Sequence, residues 1–132
     1  MAEPFICVGS DGYSFSYDKQ YTKTNPHPRS FATFPQFFQT VREKQLMSIQ
    51  GAVYKATALP AQILGLYDRG QLKKGMVADI TIFDRERIAS RSTYLDSKVR
   101  PVGISYVFVG GKPAYCDGRT VDFHSGKVLL HL

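Results

Sequence analysis

Hydrophobic positions change period twice along this chain, and each change marks a change of predicted element. Between residues 4 and 9 the apolar run Phe5-Ile6-Cys7-Val8 is stopped by Gly9-Ser10-Asp11-Gly12, the pattern of a buried strand ending in a turn. Residues 13–28 are polar and aromatic without a period, and the prolines of Asn25-Pro26-His27-Pro28 hold the backbone extended, which predicts a long loop. Helical spacing then begins, with Phe34, Phe37, Phe38 and Val41 on one face, Thr33 as N-cap and Pro35 near the first turn. A second helix follows Ser48 as N-cap, burying Ile49, Ala52, Val53 and Ala56, although Gly51 at its third position forfeits a capping box. Pro60 ends that helix or opens a short turn containing Ala61, Ile63 and Leu64.

After Gly75 the period falls from 3.6 to 2. A strand is predicted over residues 77–83, a loop over 94–100, and a second strand over Ile104–Val109 with Ile104, Tyr106 and Phe108 on one face. Gly110-Gly111 forms a two-residue hairpin turn into Lys112–Cys116, because glycine alone enters the positive-φ turn types without strain. A turn at Asp117-Gly118 and a last apolar strand over residues 128–130 complete a meander. The predicted order, one strand, two helices and about four strands, contains half of a βα repeat. A buried strand of that kind needs parallel neighbours, and the rest of the sequence does not supply them. The N-terminal part therefore reads as cut from something larger.

Composition narrows the function classes. A chain of 132 residues is the size of one domain. Its net charge of +6 comes from 17 Lys and Arg residues that are scattered, with no run longer than Lys73-Lys74, so the basic side chains read as a solvated surface and nucleic acid is not expected as a partner. The two cysteines, Cys7 and Cys116, stand outside any metal-ligand spacing and read as reduced thiols of a cytoplasmic protein. No apolar run has the length of a membrane span, and no basic-then-apolar leader is present, so neither a membrane partner nor secretion is expected.

Few residues offer chemistry. Asp11 sits where the first predicted strand meets a turn; locally it reads as an Asp-Gly turn, or as a carboxylate projecting from the C-terminal end of a strand, the active-site face of a βα barrel. His27-Pro28-Arg29 reads as a surface loop, or as an imidazole and a guanidinium aimed at an anion. The phosphate-cradling glycine motifs, a nucleophile elbow and the HExxH pair are all missing, and His27, His124 and His131 are too dispersed for a local metal site.

Three stretches taken in order change the weight of these residues. Val8-Gly9-Ser10-Asp11-Gly12, then His27-Pro28-Arg29-Ser30-Phe31-Ala32-Thr33-Phe34-Pro35, then Thr57-Ala58-Leu59-Pro60-Ala61 running on through Leu64-Gly65-Leu66, Arg69-Gly70, Leu72, Gly75 and Ala78-Asp79-Ile80 resemble the end of the N-acyl-D-amino-acid deacylases of the amidohydrolase superfamily. The segment from Gly70 to Asp84 is similar to one shared across that superfamily; the first two stretches point to the deacylase branch.

The resemblance implies the C-terminal quarter of a metal-dependent hydrolase and an incomplete fold of α/β plus β class. Residues 1–69 would be the last strand and helices of a (β/α) barrel, and residues 70–132 strands of a small β-sandwich domain. Asp11 would lie at the metal centre as catalytic residue and the one family ligand position present, acting as general base for a zinc-bound water and then protonating the leaving nitrogen. Arg29 would hold the α-carboxylate of an N-acyl amino acid substrate, and His27 would shape the loop. The remaining zinc ligands would lie upstream, so the chain alone is expected to bind no zinc and to be inactive, and to engage the missing polypeptide or itself. Ala32, Gln36 and Gly51 depart from the residues usual in the family. The alternative is a non-catalytic subunit or binding module that presents the aromatic loop of residues 13–21 to a partner.

Overall fold

Helices come first and an antiparallel sheet last in the computed structural model, which describes residues 3–18, 20–121 and 124–129. The elements are α1 (Arg29–Lys44), α2 (Ile49–Ala56), α3 (Ala58–Ile63), β1 (Ile80–Phe83), β2 (Ile104–Val109), β3 (Lys112–Cys116) and β4 (Arg119–Thr120). None of the described helices is long and apolar enough to cross a membrane.

α1 begins at Arg29, ahead of the Thr33 cap predicted from the sequence. Pro28 takes a helical conformation at the cap position, and its carbonyl accepts the N–H groups of Phe31 and Ala32 at 3.0 and 3.1 Å. The Thr33 hydroxyl donates back to the Arg29 carbonyl at 2.9 Å instead of capping. Pro35 thus stands inside the helix, buried, with no N–H to offer the preceding turn. Phe37, Phe38 and Val41 join Ala52 of α2 and Ile88 in the core, with Val8, Ile49, Val53, Phe83 and Ile104 packed against them. Phe34, assigned to the same face, is 41% exposed and lies outside the core cluster.

α2 carries the cap the sequence predicted, the Ser48 hydroxyl accepting the Gly51 N–H at 3.1 Å. The break after it falls at Thr57, whose φ of −135° and ψ of −81° leave the helical region, and not at Pro60. Pro60 is the third residue of α3, where a missing N–H costs nothing.

The strand predicted over residues 4–9 does not form. A strand needs a ladder, and none of the described strands lies beside this segment. Its backbone is attached instead to the end of α2: Val8 N–H donates to the Lys55 carbonyl at 3.1 Å, and the buried Lys55 ammonium donates to the carbonyls of Ile6, at 2.7 Å, and Glu3. Phe5 is left 70% exposed.

The sheet runs in the order β1-β2-β3-β4, every pair antiparallel. Gly110 and Gly111, at φ of 57° and 80°, turn β2 into β3 as predicted. β1 starts at Ile80 and not at residue 77 because the residues before it spend their polar groups elsewhere. Val77 N–H donates to the Asp68 carbonyl at 2.8 Å, and the Ala78 carbonyl accepts Gly111 N–H at 2.9 Å. Asp79 accepts Gly110 N–H on Oδ1 at 2.8 Å and pairs through Oδ2 with Arg69 at 2.7 Å. The Ala-Asp of the shared motif is thus a clamp between the hairpin tip and the end of the helical part. Of the last predicted strand, Val128 and Leu129 are exposed and in no strand, having no ladder partner among the described residues, and Leu130 lies outside the described residues.

Candidate active site

Gly12 lets Asp11 and Arg29 meet. A Cβ at this position would lie 2.9 Å from Ser30 Cα and 3.3 Å from the Arg29 carbonyl oxygen, so a glycine alone lets the loop press on the first turn of α1. The preceding turn is closed by Gly12 N–H donating to Ser10 Oγ at 3.2 Å, with Asp11 left-handed at φ of 48°. Asp11 Oδ2 then meets Arg29 Nη2 at 2.9 Å. The side chains are 85% and 43% exposed, so the ion pair contributes only about 0.2–1 kcal/mol and either group can exchange it for another partner.

His27 shapes the start of α1. Its Nδ1 accepts the Arg29 N–H at 3.1 Å and its carbonyl accepts Ser30 N–H at 3.0 Å. An accepting Nδ1 places the hydrogen of the neutral ring on Nε2, which faces the Tyr94 hydroxyl at 3.2 Å. The aromatic loop meets the same helix through Tyr17, whose ring is 4.8 Å from Phe31 and 4.3 Å beneath the Arg100 guanidinium. Burial pushes the Tyr17 phenol above its usual value, with Arg100 acting in the opposite sense.

Beside Arg29 opens a cavity of about 530 Å³, walled by residues 6–9, by Ala32, Gln36 and Thr40 of α1, and by Ser90 and residues 92–94. Arg29 and His27 line it, and Asp11 stands outside its wall. Metal chemistry fits less well. A zinc site takes three or four protein donors, whereas Asp11 is a single carboxylate and the described residues gather no group of three His, Cys, Asp or Glu side chains. The described residues do not by themselves fit the ion.

Asp11, His27 and Arg29 stood out in the sequence; Asn25, Ser97 and Lys98, which fasten the loop that carries His27, and Tyr94, which faces its ring, did not. The pre-proline position of Asn25 is the one local signal that marks any of these four; residues 94–100 read only as a loop.

The chain matches the Amidohydrolase family over residues 11–115. It is 35% identical over 130 residues to the N-acyl-D-aspartate deacylase of Alcaligenes xylosoxydans xylosoxydans, an alignment that covers 98% of this chain and 25% of that enzyme. A crystal structure of D-aminoacylase superposes with a TM-score of 0.78 at 35% identity, covering 81% of this chain and 23% of the other. The N-acyl-D-glutamate deacylase of Bordetella bronchiseptica, solved with zinc and a phosphonate that mimics the tetrahedral intermediate of its reaction, gives 0.77 at 34% identity over 89% of this chain and 24% of the other. The chain spans about a quarter of the length of these proteins.

Proposed function

Because the chain belongs to the amidohydrolase family, we propose that it contributes to a hydrolase that cleaves the amide bond of N-acyl-D-amino acids, with Asp11 moving the proton and Arg29 holding the substrate carboxylate. The observation that carries this reading is the 2.9 Å meeting of Asp11 and Arg29 at the edge of the cavity. A carboxylate within reach of the bound substrate takes a proton from the attacking water and returns it to the leaving nitrogen, so that amide and water become carboxylic acid and amine. A guanidinium beside it offers two parallel donors to the α-carboxylate, which fixes the scissile amide against Asp11.

Residues up to 69 belong in this reading to the end of a barrel and those from 70 to a small β-sandwich domain. Zinc belongs to it as the cofactor of a longer cytoplasmic protein whose other donors lie beyond this chain. The test is a deacylase assay on the chain joined to the upstream part its relatives possess, with and without zinc. N-acyl-D-amino acids should be hydrolysed, and Asp11→Asn should lower turnover by about 10²-fold or more while leaving the circular dichroism spectrum unchanged. Full turnover in Asp11→Asn removes Asp11 from the chemistry; no turnover in the unmutated protein leaves the non-catalytic module as the better reading.

A further inference from the structure

The excursion between β1 and β2 returns to the start of α1 and is fastened there by one asparagine. Asn25 Nδ2 donates to the carbonyls of Tyr94 and Leu95 at 2.9 and 3.2 Å. Its Oδ1 accepts the backbone N–H and the hydroxyl of Ser97 at 3.0 and 2.7 Å. All four hydrogen-bonding positions of the amide are thereby used, and Ser97 is fully buried. Lys98 adds a second tie, its ammonium donating to the carbonyls of Thr22 and Thr24 at 2.6 and 2.8 Å.

What this latch presents is Tyr94. The Tyr94 ring stands edge-on to His27 at 5.0 Å, and its hydroxyl faces His27 Nε2. His27 Nδ1 in turn holds the backbone N–H of Arg29. A rotation of the imidazole would release that N–H, which ties down the backbone at the first residue of α1. The hydroxyl of Tyr94 opposes the rotation from the far side of the ring.

We propose that Tyr94 is a positioning residue for Arg29, acting through His27, and that the Asn25–Ser97 latch fixes the segment that carries it. The proposal deepens the reading of Arg29 as the group that holds the substrate carboxylate and rests on it. Tyr94 lines the same cavity as Arg29 and His27, so ring-nitrogen and amide readouts, which need no substrate, are what separate positioning from direct contact. The side chain is 76% exposed, so it can be changed without disturbing the core.

The deciding measurement uses the chain as it stands, with nitrogen-15 spectra of the His27 ring and solvent exchange of the Arg29 amide. Tyr94→Phe should shift the His27 ring nitrogens and speed exchange of the Arg29 N–H by about three- to tenfold, as expected for one side-chain hydrogen bond, at an unchanged melting midpoint. Asn25→Asp, which cannot donate to the two carbonyls, should do the same to a greater extent. Leu95→Ala, at a side chain 94% exposed, should do neither. Wild-type resonances and exchange in Tyr94→Phe overturn the proposal, whether or not Asn25→Asp folds. In the deacylase assay Tyr94→Phe should raise KM by about three- to tenfold with kcat unchanged, and an unchanged KM overturns the link to the task of Arg29. If the unmutated enzyme shows no turnover, the deacylase reading fails while the spectra still decide whether Tyr94 places Arg29.

Discussion

Asp11 and Arg29 face one another at 2.9 Å across the gap between a loop and a helix, with both side chains open to water. The pairing leaves each group free to change partner, and a substrate carboxylate is chemically the same partner for Arg29 as Asp11 is. Arg29→Lys keeps the charge and loses the two-pronged donor geometry. KM for an N-acyl-D-amino acid should rise by about tenfold, corresponding to about 1.4 kcal/mol of lost substrate binding, with kcat little changed. Steady-state kinetics on the chain joined to the upstream part its relatives possess check this, and an equal fall in kcat would instead place Arg29 in the transition state.

Gly12→Ala should push the loop off the first turn of α1, since its new methyl group meets backbone atoms that cannot move aside singly. Overpacking of this kind costs about 1–3 kcal/mol, read as a lower urea midpoint, and the Asp11–Arg29 pair should separate. Gly9→Ala is the control, because nothing lies within 4 Å of a Cβ there. Equal midpoints for the two variants would mean that the contact at Gly12 yields freely.

Lys55→Met should leave the carbonyls of Glu3 and Ile6 without their donor. The expected loss is about 1–3 kcal/mol, and proteases should reach residues 3–8 sooner than in the wild type. An unchanged midpoint together with an unchanged cleavage rate would show that Lys55 does not hold this segment.

The raised pKa of Tyr17 carries a definite sign. The folded chain keeps the phenol proton longer than the unfolded chain does, so the stability this group contributes is full below about pH 10 and is lost as pH rises through the higher folded value. Tyr17→Phe removes the ionisable group, and its unfolding free energy should fall less steeply than that of the wild type above about pH 10. Parallel pH profiles for the two proteins would exclude the effect.

Local rules account for what the sequence revealed. Gly110-Gly111 fixes the β2–β3 hairpin through positive φ at two adjacent residues, and Ser48 fixes the start of α2 through one hydroxyl; both signals sit within a few residues of their effect. The order of the Ser10-Asp11-Gly12, His27-Pro28-Arg29 and Gly70–Asp84 stretches was enough to name the family. The strand expected over residues 4–9 failed because pairing depends on neighbours that the run itself does not encode. At Arg29, proline geometry opened α1 where hydroxyl capping was expected to. Asp11 and Arg29 each read locally as a turn or a surface loop and came forward only through the order of the stretches, and their contact depends on the close approach at Gly12. The contact of Tyr94 with His27 was not legible, since the two lie 67 positions apart and no periodicity links them.

That separation sets an order of events during folding. α2 closes on hydrogen bonds within a single turn and the β2–β3 hairpin on a two-residue turn, whereas the ties from residues 22–27 to residues 94–98 span 67 to 76 positions. Loop closure over such a span must be met before any of those contacts can repay it, so helices and hairpin should be in place while the start of α1 is still unfastened. The segment that enters α1 beside the Asp11–Arg29 pair should then be the last of these parts to be fastened and the first to be released.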